Sequence, residues 1–251
     1  MKNKKKLVEF IPFIALFVLG AAALLVYLLA LGGRKTSAIA AACVCPFIAL
    51  VVPLLNRVFK FRIPFSFNVA VSVFAVAAIY LGTVMGLYVR VRFYDKVMHT
   101  LFGVIGGLGA FIVLLHGRGE KMKSWCFFLS VFLMVMGVAA LWEIYEYAEC
   151  AAIGGNSQTW KPDLEAVGDM TVAEFFKSYN PLTDTIWDMI VAAFGVLIFF
   201  AGIFVDKLCG YKFCKRMYAY ISDGVPCDGV ERADERGATD IAEEDNNQSE
   251  K

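Results

Sequence analysis

Residues 94–116 read YDKVMHTLFGVIGGLGAFIVLLH: an acid, a base and an imidazole in the first turns (Asp95, Lys96, His99), then an uncharged run to Leu115. At about 1.5 Å per residue such a helix is long enough for the roughly 30 Å hydrocarbon core of a bilayer. Composition decides whether it is a membrane span or the core of a soluble fold. Of the 251 residues 59% are hydrophobic and 19% charged, against about 45–50% and about 25% in soluble domains. Mean hydropathy is +0.63. The 22 Phe exclude a disordered chain, and a net charge of +1 excludes a strongly basic nucleic-acid binder. The chain reads as an all-α, polytopic transmembrane helix bundle whose partner is the lipid bilayer.

Working outward from this stretch, six spans are expected, at about 7–31, 37–56, 63–89, 94–116, 124–150 and 183–205, within a membrane domain of residues 1–206. The first follows Met1-Lys-Asn-Lys-Lys-Lys6, but its apolar run exceeds the roughly 7–15 residues of a signal-peptide core, so it is expected to be retained. Pro12, Pro46 and Pro53 are expected to kink their helices without abolishing them. With the N-terminus inside, fourteen Lys and Arg flank the inner ends, among them Lys4, Arg57, Lys123 and Lys207. The seven at the outer ends are Arg34, Lys35, Arg90, Arg92, Lys96, Lys161 and Lys177. The excess places both termini in the cytoplasm and the protein in the plasma membrane.

Residues 151–182 form an extracytoplasmic loop in which Thr171-Val-Ala-Glu174 is a capping box opening a short amphipathic helix. Residues 207–251 read as a cytoplasmic, largely disordered acidic tail, with almost no large apolar side chain after Glu231. The seven Cys lack paired C-x2-C spacing and are expected to be reduced thiols.

Ionisable groups inside a span are costly, and they point to function. Here they form three pairs: Asp95 with His99, Glu143 with Glu146, and Asp184 with Asp188. Spacings of three or four residues put each pair on one helix face. His99, Glu146 and Asp188 each lie about 6 Å in from the outer end of their span, and Glu143 about 10 Å in, so the pairs share a layer. Below them Gly103 and Gly107, Ala139 and Ala140, and Ala192 and Gly195 offer small faces for close packing. Trp142, Tyr145, Tyr147, Tyr94 and Trp187 fit an interfacial aromatic belt.

Five carboxylates face one His, while Arg90, Arg92 and Lys96 are expected at the rim, snorkelling outward. Such carboxylates either share protons or hold a cation. Glu143, Asp188 and His99 are the hypothetical metal ligands, and their chemistry suits a divalent Mg, Mn, Ca or Fe better than zinc. Interhelical hydrogen bonding of Glu143 and Asp188 to His99, Tyr145 or Lys96, with Asp95 and Asp184 as helix N-terminal anions, is the structural alternative. Hydrolase and phosphate-loop motifs are absent from the sequence, and two His cannot build a three-His zinc site.

The ordered set Tyr94-Asp95-Lys96-x2-His99-x3-Gly103, Glu143-x2-Glu146 and Asp184-x3-Asp188-x6-Gly195 resembles the YjdF-like family of bacterial inner-membrane proteins, a domain of unknown function. More distantly it is similar to VanZ-like proteins, from which it departs at Ala192, where those carry Asn. The resemblance covers about residues 63–200 and implies a polytopic bacterial membrane protein, without supplying a reaction.

Three functions remain open. The cluster binds a cation or protons in a small transporter or envelope factor. Alternatively it is the centre of a metal-dependent membrane enzyme acting on a lipid-linked or phosphorylated substrate, with Asp95 or Glu146 as base. In the third reading it only packs three helices together.

Overall fold

The computed structural model describes residues 8, 10–30, 36–91, 93–117, 121–153, 171, 173–174 and 181–223. Among them there is no strand, and six helices are long and apolar enough to cross a membrane: Ile11–Leu29, Ala38–Val58, Phe65–Val84, Tyr94–His116, Ser124–Ala152 and Leu182–Leu208. The expected all-α bundle of six spans is the observed architecture.

The second span is interrupted. Helix Thr36–Val44 tightens into a 3-10 segment, Cys45–Leu50, and resumes as Val51–Val58. Pro46 stands at the start of the tight segment, where its missing N–H removes one rung of the α ladder. The third span also changes register, from α over Phe65–Ala75 to π over Val76–Val84. The sequence had suggested a helix to residue 89. Instead Gly86, at φ 76°, turns the chain left-handed and a single turn, Leu87–Arg90, follows. Glycine takes this conformation without steric cost, and hydropathy does not register it.

Two cores divide the bundle. Spans one to three close around Leu16, Ala42, Cys45, Ala75 and Tyr80, whose hydroxyl donates to the Leu16 carbonyl at 2.6 Å. Spans four to six close around Phe111, Ile112, Val131, Val135, Val196 and Phe199, with Val52 and Ile63 of the first half reaching into the same cluster. Large side chains on the outer faces, such as Phe17, Leu141 and Phe194, are exposed, as lipid-facing residues should be.

Spans four and six form the tightest pair. A Cβ added to Gly103 would lie 2.9 Å from the Gly195 Cα and press on the Ala192 carbonyl; one added to Gly195 would press on the Thr100 carbonyl. Gly107 seats the Phe199 ring in the same way, 2.8 Å from an added Cβ. Close backbone approach of this kind lets dispersion hold helices together where lipid removes the hydrophobic drive.

The region after the sixth span corrects the reading of 207–251 as mostly tail. Residues Lys212–Tyr218 form a helix and Ala219–Asp223 a π turn. Met217 and Ile221 are buried in the core of spans four to six, and Phe213 meets Phe111 with ring centroids 6.4 Å apart. Asp206 caps this helix by accepting from the Phe213 and Cys214 amides at 2.8 and 3.0 Å, and the Arg62 guanidinium donates to the Ile221 carbonyl at 3.2 Å. Phe213, Met217 and Ile221 recur every four residues, an apolar stripe concealed by the Lys and Arg between them.

In the loop before span six, Thr171 and Glu174 make the expected capping box. The Glu174 carboxylate accepts from the Thr171 amide at 2.9 Å and from its hydroxyl at 2.8 Å, and the Glu174 amide donates back to that hydroxyl at 3.3 Å. The Thr171 amide, and then its hydroxyl, hold the Glu174 carboxyl below its usual range. The rest of the segment expected to form an amphipathic helix, most of the 151–182 loop and the acidic tail from Glu231 lie outside the described residues.

Candidate functional site

The fourth helix begins at Phe93, which adopts φ 67°, and Tyr94 anchors it by donating its hydroxyl to the Ala77 carbonyl at 2.8 Å. That carbonyl lies in the π segment, whose wider register changes which backbone groups it satisfies internally. With the helix start fixed, Asp95, Lys96 and His99 are presented to the start of the sixth span.

The structure places Lys96 at the centre. Its ammonium donates to Asp184 Oδ1 at 2.6 Å, Asp188 Oδ1 at 2.7 Å and Asp95 Oδ2 at 2.9 Å. Lys96 therefore does not snorkel outward at the rim, and its bond to Asp188 is the interhelical contact of the structural alternative. The three aspartates offer the ammonium full hydrogen-bond satisfaction that the bilayer interface would only partly match. His99 stands behind it, with Nε2 3.5 Å from Asp95 Oδ1 and 3.7 Å from Asp188 Oδ1. Asp188 is the most deeply placed member at 1% exposure, and His99, Glu143 and Glu146 are also buried.

The two glutamates of the fifth span meet neutral donors. Glu143 Oε2 accepts from the Thr185 hydroxyl at 2.9 Å, joining spans five and six. Glu146 Oε1 accepts from the Trp142 indole at 3.0 Å, within its own helix. All six residues singled out in the sequence therefore lie on the expected spans, but in two subsets: Asp95, His99, Asp184 and Asp188 gather around Lys96, while Glu143 and Glu146 bind uncharged partners. The compact donor set differs from the hypothetical ligands Glu143, Asp188 and His99. Ligand atoms of Asp95, His99 and Asp188 all lie within 4.8 Å of one another, and Glu143 is turned to Thr185 instead.

Three participants were not read from the sequence in these roles. Thr185 sits between two noted aspartates, and Trp142 had been assigned to the aromatic belt. Tyr88 was not noted: it packs on Gly82 and meets Tyr94 edge-on, with centroids 5.3 Å apart. Gly86, two residues before Tyr88, was its available signal. In the third span Asn68 and Ser72 are buried as well, and the Ser72 hydroxyl donates to the Asn68 carbonyl at 2.8 Å.

Chemically, one ammonium and one imidazole stand against five carboxylates. Full ionisation would leave a net negative charge on the cluster, a state that burial disfavours.

A family model described as predicted membrane protein (DUF2238) matches residues 13–207. The chain belongs to this family. Neither the curated proteins nor the solved structures include a match to it. In this DUF2238 chain all six spans contribute to the matched region and every cluster residue falls inside it, whereas the docked helix Lys212–Tyr218 follows it.

Proposed function

We propose that this DUF2238 protein is a multi-pass protein of the bacterial plasma (inner) membrane whose Asp/Glu/His cluster binds protons or a cation at the outer leaflet, as a small transporter or envelope factor. The excess of Lys and Arg at the opposite ends of the spans supports cytoplasmic termini and an outward-facing cluster. The resemblance of the three motifs to YjdF-like proteins, and more distantly to VanZ-like ones, supports the bacterial setting.

The observation that carries the reading is the Lys96 ammonium held by three aspartates. A built-in cation already occupies the place a metal would take on Asp188, so protons on His99 and the glutamates are the favoured cargo. The mostly apolar inner halves of the spans favour an outward-facing site over a continuous path, with Asn68 and Ser72 as the buried polar exceptions in the third span.

The test is proton uptake by detergent-purified protein after a pH jump from about 8 to about 5, the range in which an imidazole changes charge. Uptake that falls in both His99→Ala and Glu146→Gln supports the reading. Wild-type uptake no greater than that of a variant carrying both His99→Ala and Glu146→Gln rejects it.

The metal-dependent enzyme acting on a lipid-linked or phosphorylated substrate is the second reading, favoured by the Asp95, His99 and Asp188 donors within 4.8 Å. A divalent Mg, Mn, Ca or Fe there must expel Lys96 from Asp188. Near-stoichiometric metal by elemental analysis in the wild type, lost in Asp188→Ala, would move the assignment to this reading.

A further inference from the structure

The sixth span ends in a Schellman motif. The Tyr211 amide donates to the Asp206 carbonyl at 2.8 Å and the Gly210 amide to the Lys207 carbonyl at 3.1 Å, with Gly210 left-handed at φ 86°. Tyr211 is left-handed as well, at φ 61°, and the two reversals send the chain back onto the bundle as the helix Lys212–Tyr218. Met217 and Ile221 are buried in one core with Ile112, Leu115 and Ile203, which seats the segment against spans four and six. Phe213 and Met217, four residues apart, belong to that seated side. Lys212 and Lys215, three apart, share a different face, and both are exposed. Lys207, in the last turn of the span, is exposed too.

These three ammonium groups have no carboxylate partner among the described residues. Asp206, the one acid from 189 to 222, accepts with its two oxygens from the Phe213 and Cys214 amides at 2.8 and 3.0 Å. Two other bases of the inner ends are engaged elsewhere: Arg57 lies 5.0 Å from the centre of the Phe10 ring, and Arg62 donates to the Ile221 carbonyl at 3.2 Å. Around the lysines, Leu208, Tyr211 and Tyr218 are exposed. Ammonium groups without an internal partner, set among exposed tyrosines at the end of a span, mark a segment at the boundary of hydrocarbon and headgroups. There the rings sit at headgroup level and the lysine stems reach outward to phosphate.

We infer that Lys207, Lys212 and Lys215 form a docking surface for the headgroups of anionic phospholipid in the leaflet at that end of the bundle. Charge complementarity sets the occupant. A zwitterionic headgroup carries its own cation beside the phosphate, whereas a headgroup with net negative charge attracts each base near the surface, by about fivefold in affinity. Lipid held there braces the docked helix against spans four and six, so its binding adds to the stability of the folded protein.

The test is thermal unfolding of the full-length protein in an uncharged detergent at low salt, titrated with phosphatidylglycerol or, in parallel, with phosphatidylcholine. Phosphatidylglycerol at roughly 100 times its dissociation constant is expected to raise the unfolding temperature by about 5–10 °C, and phosphatidylcholine is not. The rise should vanish in about 1 M salt, where screening acts within roughly 3 Å. A variant carrying Lys207→Gln, Lys212→Gln and Lys215→Gln should need roughly 100-fold more phosphatidylglycerol for the same rise. A second variant, carrying Lys60→Gln, Lys121→Gln and Lys123→Gln on the connections before the third and fifth spans, loses the same charge and should keep the response. Equal responses of the wild type to the two lipids overturn the inference, as do equal losses in the two variants. A first variant that is less stable than the wild type without lipid, where neither protein responds to phosphatidylglycerol, assigns the three lysines to the chain's own acids between Glu231 and Glu250 and likewise overturns the lipid assignment.

Discussion

Lys96 makes three charge-assisted hydrogen bonds, and two of its partners belong to a helix that begins 85 or more residues later in the sequence. The group is part-buried, with Asp188 alone fully enclosed, and leaving a charged partner without its hydrogen bond costs about 1–3 kcal/mol. Lys96→Met is therefore expected to lower the stability of the detergent-solubilised protein by about that amount. Adding Asp188→Asn to Lys96→Met should recover part of the loss, since it removes one stranded charge; thermal unfolding of the wild type and both variants measures this. A double variant no more stable than Lys96→Met would show that the aspartate is not stranded. Glu146→Gln is a contrasting case. The amide keeps an acceptor for the Trp142 indole, so stability should change by no more than about 1 kcal/mol while proton uptake falls. The positions of these residues were legible, because charge inside an apolar run is conspicuous. The direction of Lys96 was not, since a four-carbon stem reaches either the rim or the centre and spacing does not choose between them.

Helix contacts divide the glycines into two kinds. Gly103 and Gly195 meet backbone on backbone, so neither can accept a Cβ unless spans four and six move apart. Gly103→Ala is expected to destabilise by about 1–3 kcal/mol, as overpacking does. Gly137, with nothing within 4 Å of an added Cβ, should accept Ala within about 1 kcal/mol. Thermal unfolding of this pair tests the packing, and an equal loss in both would refute it. The small-residue faces were readable from Gly103, Gly107, Ala192 and Gly195 together. The π register of Val76–Val84 and the reversal at Gly86 were not, because hydropathy reports which residues are apolar and carries no information on hydrogen-bond register.

At the scale of the molecule, the segment after the sixth span is fastened to the fourth. Burial first, and then the hydrogen bond and charge of Asp206, push the Cys214 thiol up to about 12. Since the thiolate is the reactive form, Cys214 should resist alkylation at pH 8, well below that value, whereas exposed Cys209 reacts. Asp206→Ala removes the cap on the Phe213 and Cys214 amides, costs about 1 kcal/mol, and is expected to speed Cys214 alkylation while leaving Cys209 unchanged. Peptide mapping after a timed thiol reaction distinguishes the two. Six spans were legible because a bilayer needs long apolar runs, and the membrane family agrees. This docked segment was missed because its three apolar anchors are diluted by basic residues.

The pairing of the fourth with the sixth span also sets a schedule for making the protein. Asp188 lies 92 residues after Lys96, so at about 5–20 residues per second it emerges roughly 5–20 s later. Throughout that interval the nascent chain holds an ammonium whose only eventual carboxylate partner yet synthesised is its neighbour Asp95. The last helix to be inserted is thus the one that neutralises the fourth. A ribosome that stops within the preceding loop leaves behind a polypeptide in which Lys96 has Asp95 beside it but neither Asp184 nor Asp188.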